Sequence, residues 1–354
     1  MNAAKLYEKI LGLHALIPYH AGRGRAFPPI RVQLEITGRC NLRCQFCYQD
    51  KAYKQGSGEL TYDEIISIID QAPRYALITL SGGEPLLKEN IAAIIEHAAS
   101  KHYCNMITNG LLLSRDTVRL MVERKFTLVN VSLDGIGSLH DELRGVKGVF
   151  DRIRENLLFL RDYRKEKKSR FPLLDIKTVI TAQNMHHLGE IYRFCGEIGA
   201  DFFTPSLIKN TNIQFNGSFL YGDLDNACFY MNYPDHPYDI PELIKAVDAV
   251  RALKGRTAVR FYPRIKSTEA LQRYLQRKDP NLLKVARRCV EPWSGFQINA
   301  RGQAYPCLAF EVGNIRERNI AALWNADAFI SFRERLHRLK LFPACVGCCY
   351  LYIE

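Results

Sequence analysis

Between residues 30 and 208 six strand-like stretches alternate with helix-like ones, and no other feature of the 354 residues constrains the fold as much. "IRVQLEIT" alternates and carries β-branched residues, the pattern of a strand. "TYDEIISIIDQA" has apolar residues at helical spacing, with Thr61 placed to cap its N-terminus. Strands are then predicted over 75–81, 103–109, 127–135, 173–181 and 201–208. The helices between them are "ENIAAIIEHAASK", "SRDTVRLMVERK", "VFDRIRENLLFLRDYR" and "MHHLGEIYRFCGEIG". Strands joined by helical crossovers form a parallel α/β sheet. Six units fall short of the eight that close a full barrel. The expectation is a partial (β/α)6 barrel, open at its side for a large substrate, with reactive groups gathered at the carboxyl ends of the strands.

Those ends carry the unusual residues. After the first strand comes "RCNLRCQFCYQD", residues 39 to 50, with Cys40, Cys44 and Cys47 in Cys-x3-Cys-x2-Cys spacing and no fourth cysteine nearby. "SGGEP", "TNG" and "SLDG" end the second, third and fourth strands. Three thiolates can hold a four-iron cluster and leave one iron open to a non-protein ligand. They can equally hold a structural zinc with a remote fourth ligand, since zinc prefers four closed positions.

Taken together, Cys40, Cys44 and Cys47 with aromatic Phe46, then Gly82-Gly83-Glu84-Pro85, Asn109-Gly110 and Ser132-Leu133-Asp134-Gly135 resemble the radical S-adenosylmethionine (radical SAM) superfamily. The resemblance covers roughly residues 31 to 208, with the motifs in order and at the right strand ends. It implies a [4Fe-4S] cluster on Cys40, Cys44 and Cys47, with SAM on the open iron. It also implies that Gly82, Gly83, Glu84 and Pro85 meet the amino group of SAM, and that Phe46 and Tyr48 lie against the adenine. Asn109, Ser132 and Asp134 would approach the ribose or carboxylate, and Ile180 or a neighbour would cover the adenine. The implied chemistry is reductive cleavage of SAM, followed by removal of a hydrogen atom from an unactivated carbon. An electron donor such as flavodoxin or ferredoxin is implied with it.

Eleven cysteines are too many, and too clustered, for incidental thiols. A disulfide scaffold is excluded by the size of the chain, because such scaffolds are small and short of core. Cys289, Cys307, Cys345 and Cys348 form a second group, in which "GFQINARGQAYPC" reads as a hairpin carrying thiolates near its base. This group resembles the SPASM and twitch modules of radical SAM enzymes and implies one auxiliary [4Fe-4S] cluster, with Cys349 able to replace Cys348. A zinc staple remains the alternative. Cys104, Cys195 and Cys228 read as buried apolar side chains. The expected organisation is an amphipathic segment and linker (1–30), the barrel (31–210), an aromatic-rich insertion and helical connection (211–288), and a small C-terminal cysteine-rich α+β module (289–354). Tyr221, Tyr230, Tyr233 and His236 of the insertion are candidate hydrogen-atom donors or acceptors.

The net charge of +12 would favour acidic partners. The basic residues are scattered, however, and the dense run "RDYRKEKKSR" reads as a solvated helix end, so nucleic acid is not expected. No apolar run approaches the roughly 18 residues of a membrane span. The first residues carry no secretory cleavage site, which makes a cytoplasmic location the expectation. Residues 1 to 20 could still touch a membrane surface as an amphipathic anchor. Relatives with such C-terminal modules modify ribosomally made peptides or proteins by crosslinking, epimerisation or oxidation, and that substrate class is the first expectation. A small molecule (a sugar, nucleotide, tetrapyrrole or lipid) is the second. A non-catalytic iron–sulfur or zinc module is the third, and it has no need of "GGEP" beside the triplet.

Overall fold

The structure is a computed structural model. It describes residues 3–47, 49, 56–207, 238–276, 282–307, 310–342, 345 and 348–353, with side chains from residue 12 onward. Tyr48, the cysteine at 228 and the aromatic candidates of the insertion lie outside the described residues. The six expected strands are β1 (Arg31–Thr37), β2 (Leu77–Gly82), β3 (Tyr103–Thr108), β4 (Leu128–Ser132), β5 (Leu173–Ile180) and β6 (Phe202–Leu207), side by side in chain order and all parallel.

Alternation along each strand divides the sheet into two faces. Val32, Leu34 and Ile36 of β1 point outward beneath the helices and are at most 1% exposed. Each such side chain contributes about 1.5–3 kcal/mol by leaving water. Gln33 and Glu35 face the other way, into the lumen. The crossovers are α2 (Tyr62–Gln71), α3 (Ile91–Lys101), α4 (Arg115–Glu123), α5 (Ser138–Arg144) with α6 (Val149–Glu166), and α7 (Leu188–Glu197). α1 (Ala3–Ala21) precedes the sheet. Thr61 caps α2 as expected: its hydroxyl accepts from the Glu64 amide (3.2 Å), and the Glu64 carboxylate accepts from the Thr61 amide (2.7 Å). α5 was not read from the sequence. It is a short helix that Gly145 terminates in the left-handed conformation at φ +69°.

Past the insertion, β7 (Ala258–Val259) extends the sheet beside β6. α8 (Ile240–Ala252) and α9 (Thr268–Gln276) pack nearby, while β8 (Arg264–Ile265) pairs with β12 (Tyr352–Ile353). The expected hairpin is β9 (Gly295–Ile298) and β10 (Gln303–Tyr305), antiparallel to each other, with β11 (Gly313–Asn314) beyond. β9 runs parallel against β1, from Arg31 opposite Gly295 to Leu34 opposite Ile298. The C-terminal hairpin is therefore continuous with the barrel sheet, ten strands in the order β11-β10-β9-β1-β2-β3-β4-β5-β6-β7. α10 (Ile320–Trp324) and α11 (Asp327–Leu339) cover its outer face, where Phe296, Trp324, Phe329 and Phe332 are buried. Among the described residues no helix is long and apolar enough to cross a membrane.

Candidate active site

The cysteine loop after β1 is clamped from two sides. On one side the Gly83 amide donates to the Thr37 carbonyl (2.9 Å) and the Glu84 amide to the Arg39 carbonyl (2.8 Å). The two backbones approach so closely that side chains are excluded. A Cβ on Gly82, which has φ +135°, would strike the Thr37 carbonyl, and one on Gly83 would strike those of Gly38 and Arg39. The glycine pair thus holds the start of the loop against the end of β2. On the other side the Arg43 amide donates to the Arg144 carbonyl (3.0 Å) and the Gln45 amide to the Leu143 carbonyl (3.2 Å), both at the end of α5.

Held in this way, Cys40, Cys44, Phe46 and Cys47 line a cleft of about 220 Å³ at the carboxyl rim. Gly82, Gly83, Asn109, Ser132, Arg144 and Val179 complete much of its wall. The three thiols are unbridged and partly exposed, and burial pushes the Cys40 thiol up.

Glu84 does not reach the cleft. It is fully buried, and its carboxylate accepts from the Thr108 hydroxyl (2.7 Å), the Asn109 amide (2.7 Å) and the Leu86 amide (3.1 Å). It thereby ties the end of β3 to the turn after β2. Burial raises its pKa to about 6, against those hydrogen bonds. Pro85, also buried, opens the short turn Pro85–Leu87. Asp134 is fully buried as well: one oxygen accepts from the Val179 amide (2.7 Å), and the other pairs with Arg144. Ile180 lies on the outer face of β5, and its neighbour Val179 is the residue that faces the cleft. Asn109 lines the cleft and donates to the Asn41 side chain (2.8 Å).

Sequence reasoning missed Arg144. Its guanidinium pairs with Asp134, donates to the Cys44 sulfur (3.4 Å) and lies 5.4 Å from the Phe46 ring centre. Burial opposes its charge, but Asp134 and Cys44 hold its pKa above the ordinary value. The following Gly145 marks a helix stop in the sequence, and no local signal marks the arginine as buried.

Below the cleft the lumen is polar, whereas a closed barrel is packed with branched apolar residues. A second cavity of about 200 Å³ is lined by Gln33, Thr79, Asn105, Asn130, Lys177 and Gln297 among others, and Ile107 borders both cavities. The register sets Gln297 beside Gln33, Gln33 beside Thr79 and Thr79 beside Asn105. The Asn105 amide donates to the Thr79 hydroxyl (3.4 Å), and the Asn130 amide donates to Asn105. The Gln297 side-chain oxygen is buried with no hydrogen-bond partner among the described residues. Charges around the lumen are paired, Lys177 with Asp175 (2.9 Å) and Arg31 with Glu291 (2.6 Å).

The C-terminal cysteines form a second group. Burial and the neighbouring Cys345, Glu291 and Cys307 raise the Cys289 thiol well above its ordinary value. Cys345 is pushed up to about 12 by burial and by Cys307. Cys348 is raised by a hydrogen bond with Cys349, by burial and by Cys345, and its amide donates to the Cys345 carbonyl (3.0 Å). Among the described residues no three Cys, His, Asp or Glu side chains converge closely enough to hold a single metal ion. A four-iron cluster makes a different demand, one thiolate at each of several separate irons. Cys104 and Cys195 are fully buried in the core, apart from both groups.

Residues 34–195 match the radical SAM superfamily, and residues 289–349 match the iron–sulfur cluster-binding domain called SPASM. The AdoMet-dependent heme synthase of Nitratidesulfovibrio vulgaris is 26% identical over 308 residues, spanning 84% of this chain and 80% of that protein. The PqqA peptide cyclase of Bradyrhizobium diazoefficiens is 24% identical over 319 residues, spanning 86% of this chain and 75% of that protein. Streptococcus suis SuiB bound to its precursor peptide SuiA superposes with a TM-score of 0.64 at 16% identity, covering 92% of this chain and 72% of that one. The superfamily domain implies a [4Fe-4S] cluster and SAM, and the SPASM domain implies auxiliary iron–sulfur clusters. The cysteine loop pinned at a barrel rim, the glycine turn beside it and the second cysteine group accord with these matches: the chain is a radical SAM enzyme with a C-terminal SPASM domain.

Proposed function

We propose that this enzyme modifies a peptide or protein by removing a hydrogen atom from one of its carbons. Cys40, Cys44 and Cys47 would hold the SAM-binding cluster, and Cys289, Cys307, Cys345 and Cys348 an auxiliary one. When bound, the cluster and SAM supply the one-electron chemistry that generates the hydrogen-abstracting radical. The chain's own part is to position the substrate carbon and keep water and competing hydrogen donors away. Gly82 and Gly83 let the ligand approach backbone, Phe46 and Val179 supply apolar wall, and Asn109 and Ser132 supply hydrogen-bonding groups.

The observation that carries the peptide reading is the row of amide and hydroxyl side chains across β9, β1, β2, β3 and β4. Each amide offers both a donor and an acceptor, as a peptide group does. The buried Gln297 oxygen would gain a partner from a substrate N–H. Paired lumen charges favour a neutral hydrogen-bonding segment over an anion or a cation. The peptide bound in SuiB and the peptide cyclase relative support the same substrate class. The heme synthase relative supports the rival, a tetrapyrrole.

The reconstituted enzyme should be given dithionite and SAM without air, together with deuterated peptides or deuterated tetrapyrroles. Deuterium is expected in 5′-deoxyadenosine from peptides. Transfer from tetrapyrroles alone would overturn the reading.

A further inference from the structure

Resting on the assignment of a cluster to Cys40, Cys44 and Cys47, we infer that Arg144 is a positioning residue that sets the reduction potential of that cluster, with Asp134 as the counterweight that limits its effect. The geometry is a three-member line, from the Asp134 carboxylate to the Arg144 guanidinium to the Cys44 sulfur. The two charged members sit where water screens weakly, Arg144 at 7% exposed and Asp134 at 0%, and Cys44 lies partly exposed at the cleft wall.

Reduction adds one negative charge to the cluster and its thiolates. A cation donating a hydrogen bond to one of those sulfurs stabilises the reduced form more than the oxidised form, and so raises the potential. A carboxylate behind that cation acts in the opposite sense. The backbone isolates this effect from loop shape. The hydrogen bonds from Arg43 and Gln45 to α5 use the carbonyls of Arg144 and Leu143 and not their side chains. His140 on the same helix does not compete. Burial and Arg144 keep it neutral, and its Nδ1 accepts from the Asp134 amide (3.0 Å).

The two neighbours predict opposite shifts. Asp134→Asn keeps an oxygen for the Val179 amide and removes only the counter-charge, so the potential should rise. The double variant Arg144→Gln with Asp134→Asn removes both charges without stranding either, and the potential should fall below that of Asp134→Asn and of wild type. Arg144→Lys, which keeps the cation, should stay near wild type. The experiment is a redox titration of the reconstituted full-length enzyme followed by electron paramagnetic resonance, with iron counted in every sample. The auxiliary cluster serves as an internal reference that should not move. Equal potentials in all variants at full iron content would overturn the inference. So would loss of iron in Arg144→Lys and Asp134→Asn, which would make Arg144 a purely structural support. If wild type and a Cys40/Cys44/Cys47→Ala variant hold the same iron, the cluster assignment itself fails, and the inference with it.

Discussion

Arg144 and Arg333 are both buried guanidiniums, one beside the first cysteine loop and the other bonded to the turn after Cys289, and their surroundings differ in kind. Arg144 has a carboxylate on one side and a thiol on the other, at the wall of an open cleft. Arg333, 0% exposed on α11, donates only to neutral oxygens: the carbonyls of Pro292 (2.7 Å), Trp324 (2.8 Å) and Gly24 (3.1 Å), and the Asn325 side chain (3.1 Å). Among the described residues no carboxylate pairs with it. Burial alone lowers its pKa to about 9. Its plane lies over Trp324 and Phe329, at 4.2 Å and 4.3 Å from the ring centres. Arg333 is therefore a tie between the linker before β1, the turn after Cys289 and the end of α10. A buried arginine that meets charges can influence chemistry, and one that meets only carbonyls fixes shape.

The largest effect that sharpens this contrast should come from Arg333→Met. It strands three carbonyls, while the Asn325 oxygen keeps the Ala26 amide (3.0 Å), and at about 1–3 kcal/mol for a buried unsatisfied group the loss should reach about 4 kcal/mol. Urea unfolding measures it, and iron at the first cysteine site per folded molecule should be unchanged. A cost under about 1 kcal/mol would remove the tie.

A smaller effect should appear as the pH falls, on the Arg144 side. His140 is held neutral by burial and by Arg144, with a folded pKa of about 3 against 6.5 unfolded. Its contribution is fully present above pH 6.5 and is lost as pH falls through the interval toward 3. At pH 5 the loss is about 2 kcal/mol, from 1.36 kcal/mol per pKa unit. Wild type should lose about that much more stability than His140→Asn between pH 7.5 and pH 5 in urea melts. An identical pH dependence in both would show that His140 is not the titrating group.

Arg316 gives the smallest effect. It also bridges the two ends of the chain, donating to both Glu64 oxygens (2.7 and 3.1 Å) and to the Glu59 carbonyl (3.1 Å), but it is 37% exposed. Its hydrogen bond and charge hold the Glu64 carboxyl down to about 2. Solvent screens such a pair, so Arg316→Ala should cost less than about 1 kcal/mol, and less still in high salt. A cost above about 2 kcal/mol would break the ordering by burial.

Much of this was legible in the sequence for physical reasons. Alternating β-branched residues can bury one face only as strands, so the six parallel strands emerged with boundaries shifted by up to three residues. Cys40, Cys44 and Cys47 share one short loop, and their neighbourhood is local. What escaped depends on distant pairing. Arg144 reads as an ordinary charge at a helix end, and it meets Cys44 across 100 positions of chain. "GFQINARGQAYPC" reads as a hairpin, but its pairing with β1 across more than 260 residues has no local signature. Val179 and Ile180 differ only in which face of β5 they occupy, and one step of alternation separates cleft from core. Carboxylates at strand ends, such as Asp134 and Glu84, invite a ligand-facing reading, and their burial and the backbone amides that donate to them have no local signature.

The pairing of β9 with β1 has a consequence for synthesis. A ribosome delivers β1 long before β9, and until the hairpin arrives β1 is the open edge of a growing parallel sheet. An unpaired edge strand is a template for strands of other molecules. The strand exposed in this way leads directly into the cysteine loop, so the first cysteine site is assembled next to an edge that β9 covers in the folded protein.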